Sequence, residues 1–173
     1  MVHSVELLFD AETEAAVRGM WDALTAAGVR SQAAHTSPSN RPHVTLTVAE
    51  RMDDAVTAAL APVLARLPLD CRIGAPMLFG GRSVTLVRLV VPTAGLLSLH
   101  AEVHRICVAH MPDGPLAHAE PGGWTPHVTL ARRLPPDQLP QALASRPVVR
   151  EVRGRITGLR HWDGNAKVVH PVG

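Results

Sequence analysis

The sequence predicts an α+β fold made of one unit used twice. Three observations carry this. Stretches with strand-like and helix-like apolar spacing alternate along the chain. The order strand, helix, loop, strand, helix, strand is read once over roughly residues 1–82 and again over 83–173. The tetrapeptide His-Val-Thr-Leu stands at His43–Leu46 and again at His127–Leu130, 84 residues later and each time directly after Pro. Of the 173 residues, 46% are hydrophobic and 18% charged, which excludes a disordered chain and suits a single domain over 1–173 with two lobe-forming repeats.

The elements follow in order. Val2 to Phe9 is short and apolar and reads as a strand. Asp10 offers an N-cap, Glu12 and Glu14 suit the first turn of a helix, Val17, Trp21 and Leu24 recur at helical spacing, and Gly28 can end it. A polar loop from Arg30 to Arg41 leads to Pro42–Ala49, whose polar and apolar residues alternate as in a half-buried strand. Asp53 and Asp54 can cap a second helix carrying Val56, Leu60, Leu64 and Leu67, kinked at Pro62. Leu69 to Phe79 is a further strand, interrupted by Pro76 and ended by Gly80-Gly81. The order then repeats: a strand from Ser83 to Val91, a helix from Thr93 to His110 and a Gly/Pro-rich loop from Met111 to Gly123. A motif strand from Trp124 to Ala131, a short helix from Asp137 to Ser145 and extended chain from Val148 to Arg160 complete it, with an edge strand over 165–171.

Composition narrows the function classes. A net charge of +2 is too small to mark a nonspecific nucleic-acid binder, yet the charge is uneven: the first 86 residues carry seven Arg against nine acids, the rest ten basic residues against six acids. An anionic ligand would lean on the second half. Cys71 and Cys107 sit among apolar residues and read as buried thiols. No apolar run reaches membrane-span length, and Met1-Val-His-Ser-Val-Glu6 lacks the features of a signal peptide, so a cytoplasmic protein with no membrane partner is expected.

The repeated tetrapeptide carries the chemistry. On a strand, residues two apart share a face, so His43 and Thr45 point together while Val44 and Leu46 face the core; His127 and Thr129 do the same. If the halves pack about a pseudo-twofold, two imidazoles and two hydroxyls surround one point. In-line displacement at phosphorus needs a base on one side and an acid on the other, and imidazole serves as either near neutral pH. Threonine hydroxyls can donate to the non-bridging oxygens. A Walker-type loop is absent from the sequence, and no carboxylate is read near either motif to hold a metal. Arg132 and the more basic half around His127 would keep that imidazole neutral, which assigns His127 as base and His43 as acid.

These paired His-x-Thr-x motifs resemble those of the 2H phosphoesterase superfamily. Pro126-His-Val-Thr-Leu-Ala-Arg132 resembles in particular the bacterial LigT/ThpR branch, the 2′-5′ RNA ligase-like cyclic phosphodiesterases, and the resemblance spans essentially the whole chain. It implies a bilobed α+β fold with mostly antiparallel sheets flanking a central cleft. It also implies metal-independent hydrolysis of 2′,3′-cyclic phosphate ends of RNA or nucleotides to 2′-phosphates, without a cofactor. Some members ligate 2′-5′ ends reversibly; others act on 2′-5′ oligonucleotides or ADP-ribose cyclic phosphate. The catalytic positions carried over are His43, Thr45, His127 and Thr129, with Arg132 at the basic position five residues after the second His.

Other residues have two readings. Strand alternation puts Arg133, not Arg132, on the face of His127, whereas the resemblance favours Arg132. Trp124 is a base-stacking candidate or a buried structural residue; Phe79 is a weaker stacking candidate and otherwise core. Arg150, Arg153, Arg155 and Arg160 form a basic rim or a solvated face. His100 and His104 have the spacing of metal ligands on a helix but no third ligand, and read as helix residues at the core edge. His118 lies in the loop before the second motif, near enough in sequence to meet substrate. The expectation is a monomer acting on RNA or nucleotides with a cyclic phosphate or 2′-5′ linkage. The rival from another class is an RNA-end-binding module without turnover.

Overall fold

The computed structural model describes residues 2–80 and 82–173. Met1 and Gly81 lie outside the described residues, so the Gly80-Gly81 strand end is described only as far as Gly80.

Seven strands form one antiparallel sheet among the described residues: β1 (His3–Phe9), β2 (His43–Ala49), β3 (Leu69–Gly80), β4 (Val84–Val90), β5 (His127–Leu134), β6 (Val152–Asp163) and β7 (Val168–Pro171). The helices are α1 (Ala11–Ala26), α2 (Ala55–Leu60), α3 (Ala94–Val108), α4 (Leu139–Leu143) and α5 (Arg146–Val149). The Asp10 carboxylate caps α1 by accepting from the Thr13 N–H, and the Thr93 hydroxyl caps α3 at Leu96; each cap is worth about 1 kcal/mol. Pro62 does not kink the second helix but ends it: α2 stops at Leu60 and the chain continues as a 3₁₀ helix over Ala61–Arg66. Val148 and Val149, expected to be extended, lie in α5. Their carbonyls and that of Arg150 accept from the buried Arg88 guanidinium, whose Nε–H also donates to Gly74 O at 2.6 Å. A buried guanidinium without a carboxylate ion pair among the described residues is tolerated there because backbone carbonyls take its protons.

The strand order is β2-β1-β6-β3-β4-β5, with β7 beside β6. The third strand of each sequence repeat therefore does not stay with its own repeat. β6, from the second, completes the sheet beside β1; β3, from the first, completes it beside β4. They meet each other at the middle, Leu69–Ile73 against Val152–Ile156. Gly154 sits at this crossing, where a Cβ would collide with the side chain of Thr13, so glycine lets α1 seat on β6.

One core runs through both halves. It takes Val5 and Leu7 from β1, Val44 and Leu46 from β2, Leu86 and Val90 from β4, and Val128 and Leu130 from β5, with Val17, Leu24, Leu96 and Val103 from the helices. Each such side chain contributes about 1.5–3 kcal/mol of hydrophobic free energy. Both thiols, Cys71 and Cys107, are buried, and burial pushes each up to about 12.

Candidate active site

The two motif strands, at opposite ends of the strand order, pack against each other. Two indoles tie them crosswise. Trp21 of α1 donates its Nε1–H to Thr129 O at 3.0 Å, and Trp124 donates to Thr45 O at 2.9 Å. Each motif is thus held by a tryptophan from the other half.

Those carbonyls are free because each motif contains a β-bulge. Along the β1–β2 pair, Val5 faces Thr47 but Glu6 faces Thr45, which leaves Leu46 extra. Along β4–β5, Val87 faces Thr129 but Leu86 faces Ala131, which leaves Leu130 extra. An extra residue resets the face of everything after it. Leu46 and Thr47 are both buried, as are Leu130 and Ala131. Simple alternation, which put Thr47 outward, fails at this point. Thr47 is buried with its hydroxyl unpartnered.

Both imidazoles are framed alike. His43 Nδ1–H donates to Arg41 O at 2.6 Å, and His127 Nδ1–H donates to Thr125 O at 2.8 Å. A donor at Nδ1 fixes the tautomer and leaves Nε2 of each ring for chemistry. Both rings and both threonines, Thr45 and Thr129, are half-buried.

Their neighbours differ. Glu6 of β1 brings Oε1 to 3.7 Å from His43 Nε2, while Arg160 donates its Nε–H to Glu6 Oε2 at 2.7 Å and Ser4 donates to Oε1 at 2.7 Å. The expectation of no carboxylate beside either motif is corrected by Glu6, and Arg160 is not part of a solvated rim but a buried partner of that carboxylate. Sequence reasoning missed both; the one available signal was a lone charge inside the apolar run Val5-Glu-Leu-Leu-Phe9. His127 has no carboxylate partner among the described residues. Burial first, then the charges of His43 and Arg132, hold it below the ordinary imidazole range, against the opposing effect of its bond to Thr125. The bulge resets the strand's faces after Leu130, and the charge of Arg132 acts on His127. Arg133, past a second irregularity, takes φ 55° and is exposed with Arg132.

The aromatic candidates separate. Phe79 is not core: it is 38% exposed and meets the His127 ring edge-to-face at 4.9 Å. Trp124 is half-buried and stacks flat on His100 at 4.0 Å, and His100 Nε2–H donates to Leu46 O at 3.1 Å. This stacked pair therefore grips both carbonyls of the first bulge. His100 is fully buried rather than at the core edge, and His104 beside it leaves Nδ1 unpartnered. Among the described residues no three His, Cys, Asp or Glu side chains gather as metal ligands. Phe79, Trp124 and His127, with Val48 and His118, line a hollow of about 490 Å³ beside the motifs. Arg155 pairs with Asp10, while Arg150 and Arg153 line a separate hollow between α1 and α5.

The family model described as the 2′-5′ RNA ligase superfamily matches residues 11–165. The chain belongs to that superfamily, the 2H phosphoesterases. Solved structures of the same fold include TT0787 of Thermus thermophilus, with 17% identity, TM-score 0.59 and coverage of 100% of this chain and 96% of that one. Usb1 of Kluyveromyces marxianus aligns with 12% identity and TM-score 0.52 over 99% and 97% of the two chains. E. coli LigT complexed with NADP+ aligns with 14% identity and TM-score 0.50 over 98% and 92%. No curated protein matches the sequence. No helix among the described residues is long and apolar enough to cross a membrane.

Proposed function

We propose that this superfamily member is a metal-independent phosphodiesterase that opens 2′,3′-cyclic phosphate ends of RNA or nucleotides to 2′-phosphates. The observation that carries the reading is the pair of identically framed imidazoles with opposite surroundings. A proton on His43 faces a carboxylate; a proton on His127 faces a guanidinium in a buried setting. His127 Nε2 is then the base. It takes a proton from water as the water oxygen bonds to phosphorus. The bond from phosphorus to the 3′-oxygen breaks, and His43 Nε2–H supplies the proton that oxygen needs. Thr45 and Thr129 donate to the non-bridging oxygens, and the Arg132 charge offsets the negative charge gathering there. The hollow beside Phe79 and Trp124, about 490 Å³ and mostly apolar, suits a nucleobase. That E. coli LigT has been solved with 3′-AMP agrees with a nucleotide ligand.

The test is hydrolysis of 2′,3′-cyclic AMP in excess EDTA, with the product phosphate located by NMR. Turnover to the 2′-phosphate supports the reading. Tight binding of the cyclic nucleotide without turnover would instead make the chain an RNA-end binder, and turnover that needs added metal would remove the two-histidine mechanism.

A further inference from the structure

The duplication produces a second hollow that the reading above does not use. The first hollow lies between the loop before the second motif and the first motif strand. Its counterpart lies between the loop before the first motif, from Arg30 to Thr36, and the end of the second motif strand, from Arg132 onward. It encloses about 520 Å³. The two are alike in construction and opposite in lining: Phe79, Trp124 and Val48 in one, Arg30, His35, Arg132 and Arg133 in the other. The second contains no Asp or Glu.

Three guanidiniums share this groove, and none has a carboxylate partner among the described residues. Elsewhere seven arginines have carboxylate partners: Arg18 and Arg41 with Glu14, Arg51 with Asp113, Arg66 with Glu102, Arg72 with Glu151, Arg155 with Asp10 and Arg160 with Glu6, while backbone carbonyls take up Arg88. The hollow between α1 and α5 has Arg146, Arg150 and Arg153, but Glu12 and Glu151 line it too. The backbone beneath two of these arginines is also held in place. Arg30 is flanked by buried Val29 and Ser31, the latter hydrogen-bonded to Thr25 at 2.9 Å. Arg133 sits between an irregular ladder and buried Leu134, at the left-handed φ of 55° that a non-glycine residue adopts only under constraint. Like charges gathered without a counter-charge repel one another, and an anion relieves this. Guanidinium forks match phosphate oxygens in geometry. Arg132 joins the groove to the catalytic centre, because its charge also reaches His127.

We propose that this groove holds a second phosphate of the substrate, carried by the leaving nucleoside on the far side of the scissile phosphorus from the base hollow. The motifs would then take linear diesters besides cyclic phosphate ends, and the groove favours a diester whose leaving nucleoside carries a further phosphate over one that lacks it. This rests on the reading of the motifs as a phosphodiesterase site.

The experiment compares adenylyl-(2′→5′)-adenosine with and without a terminal 3′-phosphate, 2′,3′-cyclic AMP serving as the control for the motifs. The terminal phosphate should raise kcat/KM by about tenfold at low salt, one good charged contact, and the advantage should shrink as salt is added. Arg30→Ala, alone and with Arg133→Ala, should cut that ratio to near one, and Arg30→Lys should keep part of it. Both positions are exposed, so the fold is not at stake. The absence of an advantage in the wild type, or an advantage that survives the double variant, overturns the groove. Failure to cleave any of the three substrates overturns the reading of the motifs instead. The groove is then read from the ratio of the two dinucleotides' dissociation constants, with the same expectations.

Discussion

The two motif strands have the same backbone and different surroundings. In each, a histidine is held through Nδ1 by the carbonyl two residues before it, a bulge follows the threonine, and an indole from the other half closes the bulge. The first then faces Glu6, and the second faces Phe79 and Arg132. The frame comes from the repeated tetrapeptide. The proposed division of labour rests on residues outside it: Glu6 on β1, Phe79 on β3 and Arg132 past the second bulge. Duplication supplied two equal imidazoles; on the proposed reading, divergence around them makes one an acid and the other a base.

The largest test of that division is to remove each ring. His43→Ala and His127→Ala should each lower kcat by at least about a hundredfold, and the double variant should be little worse than either single one, since both serve one proton-transfer cycle. On a diester with a p-nitrophenol leaving group, which needs little acid help, His43→Ala should recover most of its loss and His127→Ala should not. Recovery of His127→Ala alone would reverse the roles.

A smaller effect is expected from the crossed indoles. Trp21→Phe keeps the ring but leaves Thr129 O without a donor, and Trp124→Phe does the same to Thr45 O. Each should cost roughly 1–3 kcal/mol of stability, measured by urea unfolding. The activity loss of Trp124→Phe should be eased by the p-nitrophenol substrate, because it loosens the acid's strand. Equal behaviour of the two variants would mean the braces are merely structural.

The third test concerns charge. With His127 as the base and held below the ordinary imidazole range, the acidic limb of kcat/KM should lie below that range. Arg132→Ala removes a positive neighbour, so the limb should move to higher pH. Arg133→Ala should leave the limb in place. Movement with Arg133 instead would mean that the face does not reset at the bulge.

The smallest effect is on stability. His100, His127 and His161 are each held below the ordinary imidazole range, chiefly by burial. The unfolded chain therefore binds protons first on acidification, and stability is lost as pH falls from about 6.5 through their folded-state values. Thermal unfolding should show a lower Tm at pH 5.5 than at pH 7.5, and His127→Asn should narrow the gap.

Much of this was legible in the sequence, and the reasons are physical. Element order followed from periodicity, and the motif histidines from a repeat that composition alone does not produce. What stayed hidden depends on pairing. A bulge leaves no mark in a run such as Leu46-Thr47, where a polar residue reads as outward whether or not the ladder slips. Glu6 and Arg160 lie 154 residues apart and become neighbours only when β6 joins β1. Phe79 looked like core because it is large and apolar. It is exposed because β3 runs on to Gly80, where its burial has already faded.

That exchange of third strands has a consequence for how the chain can be made and cut. β1 leaves a ribosome well before β6, and one of its edges stays open until β6, beginning at Val152, has been synthesised. Neither sequence repeat owns a finished sheet. A polypeptide ending near residue 82 would carry β3 with no β4 to lie against and β1 with one bare edge, and such edges seek another copy of themselves. The one-repeat unit is thus a half-object that two copies would complete by swapping their last strands. In this protein the two copies are joined end to end, so the swap happens within one chain and at no cost in concentration.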